Sequence, residues 1–134
     1  MAGSFSDFIE NELLDHLLGA ATYTAPATVH LALFTVAPTD AGGGTEVSGG
    51  SYARVAVTNN ATNFPAAVGG AKSNGAQLDF AMASANWGTI VAYAMFDAAS
   101  AGNMLGWADL NAPVIINTSD TFRFLVGGLQ FIQT

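Results

Sequence analysis

The chain has 134 residues, 51% of them hydrophobic and 10% charged, with a formal net charge of −7 and no cysteine. One domain with a sizeable core fits that length, and without cysteine neither a disulfide framework nor a Cys-ligated zinc site is available. The three basic residues, Lys72, Arg54 and Arg123, form no cluster, which excludes a nucleic-acid partner whose phosphates need grouped Lys and Arg.

An ordinary soluble domain is about 25% charged, so a chain at 10% leaves much of its surface neutral and partly apolar. Such a surface predicts neighbouring chains that cover it. Mean hydropathy is positive at +0.38, yet residues 80–96 are interrupted by Ser84, Asn86, Gly88 and Thr89, and residues 22–39 by Pro26 and Pro38. Neither is an apolar span of about 20 residues, so no membrane partner is expected. The opening MAGSFSDFIENELLDH places acids where a signal peptide needs basic and then apolar residues. That predicts an unprocessed protein made in the cytoplasm.

Residues 1–19 read as an N-terminal amphipathic helix and residues 20–134 as a β-domain. Ser4 or Ser6 can cap the helix, with Asp7 and Glu10 in the first turn, where the helix dipole favours acids. Phe5, Ile9, Leu13 and Leu17 recur at helical spacing, Phe8, Leu14 and Leu18 widen the stripe, and Gly19 is placed to end it. A stripe that broad must pack on something, either the β-domain or a neighbouring subunit.

After Gly19 the pattern changes to strands punctuated by Gly, Asn and Pro. Thr28–Thr35 is a nearly continuous apolar run, Thr45–Ser48 follows a loop holding Pro38, Asp40 and Gly42–Gly44, and Tyr52–Thr58 alternates. Residues 59–75 are mostly small, and end in Asn74-Gly75, a tight-turn signal. Gln77–Met82, Thr89–Asp97, Met104–Leu110, Pro113–Asn117, Phe122–Val126 and Leu129–Ile132 complete the series. About eight short strands with no βαβ spacing predict a mainly β fold, an antiparallel sandwich or jelly-roll-like barrel with one N-terminal helix.

Chemistry-bearing patterns are weak. His16 and His30 have no spaced partner of the HxH or HExxH kind. Gly42–Gly44 is not followed by Lys-Ser/Thr, so it reads as a loop tip and not a phosphate cradle. Ser48 lies in a hairpin-like Val47–Ser51 stretch and lacks the GxSxG elbow of a nucleophile. Asp40, Glu46, Asp97, Asp109 and Asp120 fall near strand ends, where acids commonly cap their own turns. Trp87 and Trp107 are the aromatics a carbohydrate platform would use, though strand spacing favours core or interface roles. No catalytic residue, cofactor or metal site is expected.

One stretch is specific. Tyr23–Arg54, YTAPATVHLALFTVAPTDAGGGTEVSGGSYAR, resembles short phage proteins commonly labelled tail fibre proteins. The resemblance continues in LLDHLLG at Leu13–Gly19, WGT at Trp87–Thr89, the FDA and GN-L elements within Phe96–Leu105, and DTF-F at Asp120–Phe124. It implies a virion structural protein made in the host bacterial cytoplasm. A compact β-domain without stalk or repeat also has the character of a capsid cement, or decoration, protein, and low charge without a basic patch fits the outside of a shell.

The expected function is therefore a capsid cement protein that stabilises the head shell, with a tail-tip or tail-fibre component in host adhesion as the alternative. The expected partners are further copies of itself, a homotrimer preferred, and other virion proteins, above all the major capsid protein. Interface residues are expected at Phe5, Phe8, Ile9, Leu13 and Leu17 on the helix and at Asn60, Phe64 and Val68 in the loop. Ordering backbone costs about 1–2 kcal/mol per residue, so at least one of the glycine-rich segments 41–50 and 59–75, the second preferred, is expected to be ordered by a neighbouring chain.

Overall fold

The computed structural model describes residues 3–132. In chain order these form β1 Gly3–Phe5, α1 Asp7–Leu17, β2 Thr28–Val36, β3 Thr45–Glu46, β4 Val55–Thr58, β5 Ala71–Ser73, β6 Leu78–Asp79, β7 Gly88–Phe96, β8 Met104–Ile116, β9 Arg123–Phe124 and β10 Gln130–Ile132. The fold is mainly β with one helix, as the sequence predicts, and every strand pairing is antiparallel.

The main sheet has six strands, ordered β1-β8-β7-β2, with β3 and β4 sharing the outer edge of β2. Two short ladders, β10-β5 and β6-β9, lie apart from it. Among the described residues the main sheet stays open, so the arrangement is sandwich-like and the barrel option fails. The opposing layer consists of short ladders and loops, which do not continue the hydrogen-bonding of the main sheet around to its far edge.

The larger core lies between these layers. Leu31, Leu33 and Ile90 are fully enclosed there, with Tyr93, Phe80, Trp87, Phe122, Phe124 and Leu129 packed beside them. Each such side chain contributes about 1.5–3 kcal/mol by leaving water. A bulge between Ile90 and Ala92 lets Ile90 face the same core as Tyr93 and Met95 despite the odd spacing. The opposite face of the sheet buries Ala32, Phe34, Ala92, Ala94 and Met104. Burial on both faces explains why Thr28–Thr35 reads as a run and not as an alternation.

Three details differ from the sequence reading. Phe5 belongs to β1, which pairs Gly3, Ser4 and Phe5 with Ala108, Trp107 and Gly106. The helix starts after it because Ser6 is the cap, extended at φ −73° and ψ 159°, and its hydroxyl oxygen accepts the Ile9 amide at 3.3 Å. That hydroxyl also donates to the Met104 carbonyl, so the cap is tied to β8. Second, Met104–Leu110 and Pro113–Asn117 are one strand, interrupted where residues 110–113 stand opposite Val91 alone. Pro113 has no amide to give a ladder, and the irregularity accommodates it.

Third, residues 59–75 find order within their own domain. The Asn59 amide donates to Ala27 O at 2.9 Å, and its side chain to Pro26 O at 2.9 Å. Asn63 reaches Thr58 O at 2.9 Å, and the Gly75 amide donates to Asn63 O at 2.7 Å. Ala71–Ser73 pairs with β10. The apolar pattern is sparse here because asparagine side chains and backbone hydrogen bonds hold much of the segment, with Phe64 alone packed against the larger core from its loop.

Candidate functional site

The motif residues come first, because the sequence draws attention to them. Arg54 donates to both oxygens of Glu46, at 2.9 and 2.8 Å, and to the carbonyls of Ala98 and Ala101, each at 2.9 Å. Its guanidinium carbon lies 3.8 Å from the centre of the Phe96 ring. Tyr52 donates to Glu46 at 2.7 Å and accepts the Leu33 amide at 3.0 Å. Burial would raise the Glu46 carboxyl, but the hydrogen bonds from Arg54 and Tyr52 and the Arg54 charge outweigh it and hold it below its usual range. Burial, then the hydrogen bond to Glu46, pushes the Tyr52 phenol well above its ordinary value.

The other motif acids are held the same way. Asp97 accepts from the Asn103 amide at 2.7 Å and its side chain at 2.9 Å. Asp120 accepts the Asn117 amide at 2.9 Å, and Asp40 accepts the Trp107 indole at 2.8 Å. These carboxylates close turns or tie strands, the role expected of acids at strand ends. No group of three His, Cys, Asp or Glu residues placed to hold a metal occurs among the described residues.

Trp87 is buried, and its indole donates to Gly50 O at 2.9 Å, so it cannot serve as a carbohydrate platform. His16 sits at the exposed helix end, its Nδ1 between the Tyr23 amide at 3.3 Å and Ala21 O at 3.1 Å. His30 lies half-buried in β2, with Nδ1 unpartnered among the described residues.

Two open clefts differ in character, one mainly apolar and one lined also by Asp7, Asp40 and Glu46. A groove of about 570 Å³ runs beside α1, and four of the residues expected at an interface, Phe5, Ile9, Leu13 and Phe64, line it together with Lys72 and Phe131. Phe8 instead lines a second cleft of about 510 Å³ with Asp40 and Gly42–Gly44. Its ring meets Tyr23 edge-on at 6.5 Å. Leu17 and Val68 are exposed and line neither, and Asn60 holds its own turn, accepting the amides of Thr62 and Asn63. Sequence reasoning missed Lys72 and Phe131. Their link to the helix arises only when β5 and β10 pair, and the one available signal was the rarity of cations.

The motif side chains of this antiparallel β-domain thus hold its own turns, and the groove beside α1 is mainly apolar. Residues 4–132 match the family model described as podophage GP4 fiber I protein gp80, and the chain belongs to that family. It is thus a bacteriophage virion protein of the short tail-fibre type. No curated protein matches the chain.

Proposed function

We propose that this chain is a component of a podophage tail fibre, which acts by binding other virion proteins and carries no catalysis of its own. The observation that carries the reading is the family match over nearly the whole chain, since the family's description specifies a fibre. The capsid cement reading rests on low charge and compactness alone, which suit a fibre component equally well, so it yields to the fibre reading. Sparse charge and the apolar groove support a homo-oligomer, trimer preferred, made in the host cytoplasm and joined to further virion chains.

Band quantification on purified virions tests this. A fibre component is present at low stoichiometry relative to the major capsid protein. A stoichiometry matching the lattice of the shell would overturn the fibre reading in favour of cement.

A further inference from the structure

We infer that the groove beside α1 receives the C-terminal end of α1 from a second copy of this chain. Leu14, Leu17 and Leu18 are 56%, 74% and 83% exposed, so the helix buries Ile9 in its own domain and leaves its last turn uncovered. That last turn is rigidly presented. Leu18 donates to Leu14 O at 2.8 Å, Ala21 to Asp15 O at 3.1 Å, and the Tyr23 amide approaches His16 at 3.3 Å. A preformed apolar knob binds with little further loss of conformational freedom.

The groove suits leucines in size and lining. Its volume is about 570 Å³, where a cavity of about 150 Å³ already holds a benzene ring. Charge selects among possible occupants. Arg54 is paired with Glu46 and Arg123 with Asp79, which leaves Lys72, at the groove wall, as the cation without an ion pair among the described residues. The occupant should therefore carry carboxylates beside its apolar side chains. Helix α1 does so, holding Asp7, Glu10, Glu12 and Asp15. The other exposed apolar pairs do not. Val114-Ile115 lies in an uncharged stretch, and Leu125-Val126 has Arg123 as its nearest charged neighbour in sequence.

Leu13 lines the groove and Leu17 stands one turn further on, so donor and acceptor surfaces are adjacent on each copy. Such a contact is reciprocal in a two-fold pair, and made head-to-tail it closes as a small ring. It requires this chain alone, so its failure would leave the fibre reading standing, and the reverse also holds.

The test uses the purified full chain in analytical ultracentrifugation. Wild type sediments as an oligomer at micromolar concentration. Leu17→Asp weakens the association by at least about tenfold, as loss of a centrally packed side chain does at interfaces. Lys72→Glu weakens it as well, while Lys72→Arg does not. Because the chain has no cysteine, a Leu17→Cys copy mixed with an Ala67→Cys copy reports the contact directly through a mixed disulfide dimer. That readout does not depend on how well Leu17→Asp folds. A wild-type monomer, or an oligomer that gives no mixed dimer and ignores Leu17→Asp, would overturn the inference.

Discussion

Arg54 grips Glu46 with two parallel hydrogen bonds, 2.9 and 2.8 Å long, while the same guanidinium holds the 98–101 turn and lies against the Phe96 ring. The Arg54 side chain is 7% exposed and that of Glu46 25%. Removing one partner strands the other in a largely dry site. Arg54→Ala costs about 3–5 kcal/mol in urea unfolding, and replacing both residues by apolar ones of similar volume costs less than either single change. Arg54→Lys falls short of rescue, because an ammonium cannot supply the fork. Equal stability of Arg54→Ala and wild type would remove this pair from the list of fold determinants.

The same pair sets an acid limit. The Glu46 carboxyl titrates lower in the folded chain than the ordinary 4.5, so its stabilisation is complete above that value and is lost as pH falls through the folded one. The stability gap between wild type and Glu46→Gln is therefore constant near neutrality and narrows below about pH 4.5. Tyr52 has the opposite sign. Its folded phenol titrates above the ordinary 10.0, so its contribution is full below pH 10.0 and fades as pH rises through the folded value. Thermal melts of wild type, Glu46→Gln and Tyr52→Phe across pH check the two slopes.

Asn74 is 2% exposed and joins separate parts of the chain. Its amide nitrogen donates to Ala76 O at 2.8 Å and Leu125 O at 2.9 Å, and its oxygen accepts the Leu129 amide at 2.9 Å. Asn74→Ala leaves these groups unpaired and costs about 2–4 kcal/mol. Asn74→Asp costs more, because a carboxylate would face two carbonyls. Hydrogen exchange should show the Leu129 amide opening in both variants.

Gly50 and Gly43 both have positive φ, +58° and +80°. A Cβ at Gly50 would come within 2.9 Å of the Trp87 indole nitrogen, whereas one at Gly43 meets nothing within 4 Å. Gly43→Ala costs about 1–2 kcal/mol from backbone strain alone. Gly50→Ala costs more and shifts Trp87 fluorescence to the red as the indole loses its place. An unshifted spectrum would show that the turn yields instead.

What the sequence made legible was periodic or capped. The apolar run of β2, a serine cap at Ser4 or Ser6 and the acids at turns were all visible because each is a local signal. Phe5 was misplaced because its spacing fits a helix equally well, and only pairing with Gly106 decides for a strand. Asn74 read as turn chemistry, yet its side chain serves contacts as distant in sequence as Leu129. The TEVSGGSYAR block was recognisable without its geometry, in which Tyr52 and Arg54 both bind Glu46 and Arg54 alone reaches on to the 98–101 turn. The groove was half legible. The helix residues marked one wall, but Lys72 and Phe131 reach it through a long-range strand pairing that no local pattern encodes.

The assignment to a tail fibre is tested most directly by where the protein sits on the particle. Electron microscopy of intact virions, with gold-labelled antibody against this chain, reads that position without reference to sequence. The account predicts label confined to the tail and its fibres. Label spread evenly over the head shell, with the tail bare, would contradict it.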